Sequence, residues 1–382
     1  MNKPLRIALF TYSTKPRGGV IHTLELAEAL QDLGQEVCIY ALAKDNLGFH
    51  RPVKCPTKLV PTKPAPESID ELIKQRIQEF IDYLILEVAQ YDIYHSQDCI
   101  SANALKILRD QGVIANFIRT AHHIDEFNSF YLQQCHDRSI VEPDLCLCVS
   151  NYWQQQLQQQ YGVGAPVIIN GINLDKFDRN QNGLETELKQ RLGIRDNPVY
   201  LSIGGIEPRK NSLKLLEAYA QVLKIYPQAQ LVIAGGDTLF DYKPYRREFF
   251  RLVETYNICL GESLILPGVM SEQDLAVLYR CADAFVFPSV KEGWGLVLLE
   301  AIASGIPVIT SKIAPFTEFL NDNSALLVNP NSSEDLSQAM LEILNPNVAQ
   351  KLIHNSSNIP LKYSWSRSAQ IHLNLYRSFI SS

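Results

Sequence analysis

The sequence predicts an α/β protein made of two doubly wound, parallel-sheet domains. Three observations carry that expectation. Short β-branched or apolar runs alternate with amphipathic stretches from end to end, the pattern of parallel strands covered by helices. A turn-rich segment, NGINLDKFDRNQNG at 170–183, interrupts the alternation, which then restarts. The length, 382 residues, suits two domains.

In the first half the expected strands are LRIALFTY, EVCIYAL, DIYHS, IANFIRT, LCLCVS and PVIIN. Between the first two, VIHTLELAEALQDLG is apolar at Leu24, Ala27, Leu30 and Leu33 and stops at Gly34. A second helix, IDELIKQRIQEFIDYLILEV, carries Ile69, Leu72, Ile73, Ile77, Phe80, Ile81, Leu84 and Val88 at helical spacing. Mixed charges on its polar side favour a packed core face over a membrane-surface helix. The second half repeats the scheme with VYLSIGG, AQLVIAGG, SLILPG, AFVFPS, PVITS and SALLVNP, each followed by a helical pattern. The expected division is 1–178, 179–364 and a final helix at 365–382. That helix, in SWSRSAQIHLNLYRSFIS, has an apolar stripe of Ala369, Leu373, Tyr376 and Ile380 that needs another surface to cover.

Composition excludes several classes. The formal charge is -6 with no run of five or six like charges, so nothing marks a nucleic-acid partner. The eight cysteines form no C-x-x-C and no zinc spacing, and Cys146 and Cys148 share one strand face. Reduced cysteines acting as small apolar residues in a cytoplasmic protein are the expectation. The apolar run in MNKPLRIALFTYSTKPRGG is too short for a signal sequence or a membrane span and reads as a first strand.

Open parallel sheets bind ligands beyond the carboxyl ends of their strands, in the loops that lead into helices. Four loops stand out. KPRGGVIH (15–22) is expected between the first strand and the first helix, where Gly18 and Gly19 would let backbone amides approach a ligand; a plain turn is the alternative. IGGIEPRKNS (203–212) sets Arg209 and Lys210 before a helix begun by Asn211 or Ser212, an anion site suited to phosphate, with a solvated surface pair as the alternative. PSVKEGWGLVLLEAIASG (288–305) forms a second anion cradle from the amides near Gly295, Leu296 and Val297, and two cradles suit a diphosphate. Its two carboxylates, Glu292 and Glu300, could each accept hydrogen bonds from vicinal hydroxyls, one on a sugar and one on a ribose. A glycosidase pair would need carboxylates facing each other across a scissile bond, which a loop-to-helix pair fits poorly. A purely structural Glu300 is disfavoured by its apolar neighbours in VLLEAIA. The fourth loop, FIRTAHHIDEF (117–127), places His122 and His123 past a strand end with no metal-ligand pattern; structural histidines are the alternative. There is no D-x-D in the chain, which argues against a metal-diphosphate scheme.

These residues resemble the retaining glycosyltransferases of GT-B architecture, in the large group 1 (family 4) set, over nearly the whole chain. The most specific element is the E-x7-E motif, Glu292 to Glu300, within the EGWGL and LEAIASGIPV context. Supporting matches are Gly18-Gly19, Asn170-Gly171-Ile172-Asn173 with Phe177, LVIAGG and ADAFVFPS. The resemblance implies two Rossmann-like domains facing a central cleft, the second binding a nucleotide-sugar donor and the first an acceptor, with the last helix crossing back onto the first domain. It implies that Glu292 binds donor-sugar hydroxyls, that the amides of Gly293, Trp294, Gly295 and Leu296 meet sugar and diphosphate, and that Glu300 takes the ribose. Arg209 and Lys210 would neutralise the leaving diphosphate, Gly18 and Gly19 would lie at the phosphate with Gly19 donating an amide, His122 would contact the sugar near the reacting carbon, and Val269 would meet the base. The chain departs from the common pattern at three places. Gly205 stands where an arginine is usual, as in the subgroup with G-x-x-x-P-R-K-N; Trp294 replaces phenylalanine; and His123 replaces the aspartate after the first histidine.

The expected activity is transfer of a hexose, with retention, from a nucleoside diphosphate sugar to a glycan or lipid-linked glycan. UDP-glucose ranks first as donor, ahead of GDP-mannose and UDP-N-acetylglucosamine. No metal or other cofactor is expected. The alternatives are a sugar-nucleotide epimerase or disaccharide synthase of the same fold, and a non-catalytic nucleotide-sugar-binding subunit. The expected location is cytoplasmic, with peripheral association at the inner membrane face through the acceptor. The proline-rich stretch at 47–68 is expected to form an irregular wall of the acceptor site.

Overall fold

A computed structural model describes residues 3–44, 47–87, 90–236 and 242–381 of the chain. It divides into two compact units, Met1–Gly171 with Tyr363–Ser382, and Ile172–Lys362.

The first unit is a six-stranded parallel sheet with helices. In chain order its elements are β1 (Arg6–Thr11), α1 (Gly18–Asp32), β2 (Glu36–Ala43), β3 (Thr57–Pro61), α2 (Ile69–Leu86), β4 (Ile93–Ser96), α3 (Cys99–Asp110), β5 (Ile118–Ala121), α4 (Phe130–Val141), β6 (Leu145–Cys148) and α5 (Asn151–Tyr161). The strand order is β3-β2-β1-β4-β5-β6. In β1 and β2 every residue after the first is buried, as parallel strands covered on both faces require. Helix starts are set locally: the Asp98 side chain accepts from Ser101 N at α3, and Ser150 accepts from Trp153 N at α5.

The second unit holds α6 (Leu184–Leu192), β7 (Val199–Ile203), α7 (Ser212–Ile225), β8 (Gln230–Ala234), α8 (Lys243–Thr255), β9 (Leu264–Gly268), α9 (Glu272–Arg280), β10 (Ala284–Phe287), α10 (Leu296–Ala303), β11 (Val308–Ser311), β12 (Leu326–Val328), α11 (Ser333–Glu342) and α12 (Pro346–Ser356). Its strand order is β12-β11-β10-β7-β8-β9, again six strands and all parallel. Numbered from its own first strand this is the same 3-2-1-4-5-6 order as the first unit, the doubly wound arrangement of nucleotide-binding halves. The order reverses between β1 and β4 in one unit and between β7 and β10 in the other.

The final helix, α13 (Trp365–Ser381), belongs to the first unit and packs on α1. Trp365, Ala369, Leu373 and Tyr376 are buried in it, so three of the four stripe residues are covered; Ile380, in the last turn, stays 45% exposed. The seat needs a glycine: a Cβ on Gly171 would collide with the backbone nitrogen and ring of Trp365.

Other sequence expectations are corrected. PVIIN forms only an isolated bridge, Val167 to Cys148, not a strand. The sixth strand is instead β3, in the stretch expected to be irregular; TKLVP pairs with β2 at the sheet edge, where its terminal proline is tolerated. Helix α1 begins at Gly18 rather than at Val20, so the glycine pair forms its first turn. No α-helix follows β11, where the chain makes a 3-10 turn at Phe316–Glu318. Val88 lies outside the described residues. The units part at Gly171/Ile172, within the turn-rich segment that interrupts the strand pattern.

Gly171→Ala is expected to lower stability by about 1–3 kcal/mol, the usual cost of overpacking, read as a lower urea midpoint. An unchanged midpoint would show that α13 is not seated against this backbone.

Candidate active site

In the second unit the loops after β7 and β10, neighbouring strands at the switch point, are laced together. Val290 N donates to Arg209 O (2.9 Å), Ser289 Oγ donates to the same carbonyl (2.8 Å), and Asn211 Nδ2 donates to Pro288 O (3.1 Å). This lacing brings Arg209, Lys210 and Glu292 into one cluster. Arg209 Nη1 and Lys210 Nζ each lie 2.6 Å from Glu292 Oε1, and Ser289 Oγ lies 2.8 Å from the same oxygen. Arg209 Nη2 also meets Glu207 Oε1 at 2.9 Å. The Lys210 stem lies against the backbone of Gly204, and its ammonium sits 4.5 Å from the centre of the Phe287 ring.

Burial alone would push the Glu292 carboxyl up, but the Arg209 guanidinium and the Lys210 ammonium hold it down at about 2. For Lys210 burial outweighs the attraction of Glu292 and lowers its pKa. Two cations thus stand beside two carboxylates, a compensated set in which each charge has an opposite partner.

The adjoining helix end offers more donors. Gly295, at φ 112°, turns the chain into α10, and no side chain caps that end. A Cβ there would lie 2.9 Å from the Phe316 ring, so both conformation and space demand glycine. Trp294 is buried and stacks on Phe319, ring centres 4.9 Å apart, which anchors the turn. Glu300, one turn into α10, accepts from Tyr279 Oη of α9 at 2.8 Å. Gly204 N donates to Ala234 O and Gly235 N to Gly268 O, which aligns the ends of β7, β8 and β9; Gly205 follows Gly204 there, and Val269, 60% exposed, lies beside Gly236.

In the first unit histidines stand at and near the strand ends: His22 in α1, His95 in β4 and His122 past β5. Gly18 and Gly19 open α1, whose start has no side-chain cap. His122, just past β5, lies beside Gly19, and its ring packs against that of His22 with centres 4.9 Å apart. His122 Nε2 is 3.2 Å from Gln97 Oε1. Burial lowers the pKa of His22 to about 4, and that of His372 to about 3; His95 and His122 are pushed well below the ordinary value, also by burial first. His123 turns elsewhere, 3.0 Å from Asp125.

Sequence reasoning missed Ser289, Phe287, Asn211 and Tyr279 in the second unit and His22, His95 and Gln97 in the first. Ser289 and Asn211 adjoin residues that were singled out; Tyr279 is distant in sequence and carries no motif. Among the described residues no group of three or more His, Cys, Asp or Glu could hold a metal ion, and no helix is long and apolar enough to cross a membrane.

Paired cations and an uncapped helix end stand together at the switch point of a 3-2-1-4-5-6 sheet, the arrangement of doubly wound proteins. Known proteins give the family. The sequence profile of the glycosyl transferases group 1 matches residues 185–358, and that of glycosyltransferase family 4 matches 16–176. The chain belongs to the group 1 glycosyltransferases. It is 35% identical over 283 residues to the alpha-monoglucosyldiacylglycerol synthase of Streptococcus pneumoniae, covering 68% of this chain and 61% of that one. Its fold is that of GT-B glycosyltransferases. Sucrose-phosphate synthase from Thermosynechococcus elongatus matches with a TM-score of 0.80 at 24% identity over 99% of both chains. The Anabaena protein HepE in complex with UDP-glucose matches at 0.79 and 18% identity, over 98% of this chain and 100% of that one.

The titrations have a sign. Buried neutral histidines stabilise the fold above their ordinary pKa of 6.5, and that contribution is lost as pH falls toward 4; the Glu292 contribution is complete above 4.5 and is lost toward 2. Unfolding free energy is therefore expected to decline from pH 6.5 downward. Glu292→Gln should cost roughly 3 kcal/mol at pH 7, a gap that narrows below pH 4.5. A gap independent of pH, in urea titrations from 7 to 3, would show that the carboxylate is not held by the two cations.

Proposed function

We propose that the chain is a retaining hexosyltransferase that moves a hexose from a nucleoside diphosphate sugar, UDP-glucose first, to a glycan or lipid-linked glycan. The observation that carries the reading is the Arg209–Glu292–Lys210 cluster beside the uncapped start of α10. The acceptor hydroxyl oxygen forms a bond to the anomeric carbon as the bond from that carbon to the diphosphate breaks. The hydroxyl proton passes to the departing phosphate on the same face. The main electrostatic demand is then the leaving diphosphate, met by the N–H donors of Arg209 and Lys210 and the amides of Gly293 to Leu296. Glu292 holds donor-sugar hydroxyls, Glu300 the ribose, and the backbone at Val269 the base. Gly18 and Gly19 supply amides to the phosphate, and His122 is assigned to the transferred sugar.

Two similarities support the choice of substrates. The pneumococcal relative is by name a synthase of a glucosylated diacylglycerol, and UDP-glucose is the nucleotide sugar in the Anabaena structure of the same fold. A lipid-linked acceptor fits a cytoplasmic protein that meets the inner membrane face peripherally. No metal is assigned to the reaction. An epimerase of the same fold would not require the E-x7-E pair around an EGWGL turn, and the intact Glu292, Arg209, Lys210 and Glu300 oppose a subunit that has lost catalysis.

UDP or GDP is expected to raise the melting temperature without added metal, and Arg209→Ala or Lys210→Ala to abolish the shift. No shift with any nucleoside diphosphate would sink the donor-site assignment. In steady-state kinetics Glu292→Ala is expected to lower turnover more than nucleotide binding, and Glu300→Ala to weaken nucleotide binding about tenfold, the loss of a charge-assisted hydrogen bond. The reverse pattern would mean the two glutamates are assigned to the wrong ends of the donor.

A further inference from the structure

Resting on the assignment of His122 to the transferred sugar, a chain of side chains behind that residue extends the reading. His122 Nε2 lies 3.2 Å from Gln97 Oε1; Gln97 Nε2 lies 3.2 Å from His95 Nε2; and His95 Nδ1 lies 2.7 Å from Tyr376 Oη on α13. Thr120 Oγ1 is 2.8 Å from His95 Nε2. Gln97, His95 and Tyr376 are buried, and all four members belong to the first unit.

Donor and acceptor chemistry fixes the direction of this chain. An amide nitrogen only donates, so His95 Nε2 must be the lone pair that receives Gln97 and Thr120. The proton of neutral His95 then sits on Nδ1 and is donated to Tyr376 Oη. An amide oxygen only accepts, so the proton of His122 sits on Nε2. We propose that Gln97, backed by His95 and Tyr376, is a positioning residue that fixes the tautomer of His122, leaving Nδ1 as the acceptor for a hydroxyl of the transferred sugar. The ring is held from its other side by the His22 ring, whose own Nδ1 is 2.6 Å from Asn170 Oδ1. The final helix is thereby more than a cover: its Tyr376 hydroxyl closes the chain that sets a side chain at the strand ends.

The test is the tautomeric state of each ring in the full-length protein labelled with 15N-histidine, read from long-range proton–nitrogen correlations and assigned with His122→Asn. In the unsubstituted chain His122 is expected with its proton on Nε2 and His95 with its proton on Nδ1. Gln97→Leu should leave His122 a mixture and lower turnover on the order of tenfold, the usual scale for losing a group that orients a functional histidine, with the KM for donor little changed. Gln97→Glu keeps the acceptor facing His122, so His122 should hold its proton on Nε2 and recover turnover while the His95 proton moves to Nε2. If Gln97→Leu does not fold, Gln97→Glu alone reports on the same chain, through the His95 tautomer. A His122 proton on Nδ1 in the unsubstituted chain, or a His95 ring unmoved by Gln97→Glu, would overturn the proposal. A changed tautomer with unchanged turnover would support the chain and contradict the assignment of His122 to the sugar.

Discussion

The second unit's site depends on one oxygen. Glu292 Oε1 lies against Arg209, Lys210 and Ser289, and Arg209 in turn meets Glu207. Two cations brought this close repel each other and would swing into solvent; the shared carboxylate holds them in place before any ligand arrives. Such preorganisation is what electrostatic stabilisation of a leaving group requires, because donors already aimed at the developing charge need not reorganise during the reaction. The cost is a buried charged cluster, tolerable because each charge has a partner.

The two units share a strand order yet differ in chemistry. At the reversal of the second sheet stand fixed charges and helix amides, suited to a diphosphate. In the first sheet the strand ends carry neutral histidines, an amide and a hydroxyl from the final helix, a set suited to orienting hydroxyls. A transferase of the proposed kind needs both: strong fields for the group that leaves, and weak, directional hydrogen bonds for the sugars.

Much of this was legible in the sequence because parallel strands covered on both faces read as continuous apolar runs. All six strands of the second unit were visible in that way, as were five of the first. β3 was hidden because TKLVP is half-exposed, with a proline at its end, and PVIIN misled because apolar content alone does not pair a strand. The start of α1 was placed two residues late because glycines usually break helices, a cost that a first turn tolerates. The E-x7-E motif drew attention to the loop after β10 but not to the cluster at its start, since nothing in the sequence shows that the adjacent Arg209 and Lys210 meet one oxygen of the distant Glu292. Gln97 and His95 lie two residues apart at the end of β4, where period-two alternation in IYHSQ put both on one face; their partners on β5 and α13 could come only from the fold.

The most direct measurement is a crystal structure of the chain soaked with UDP. The account predicts the diphosphate in contact with Arg209, Lys210 and the amides at the start of α10, with the ribose hydroxyls on Glu300. A diphosphate bound elsewhere, with the Arg209–Glu292–Lys210 cluster untouched, would contradict it.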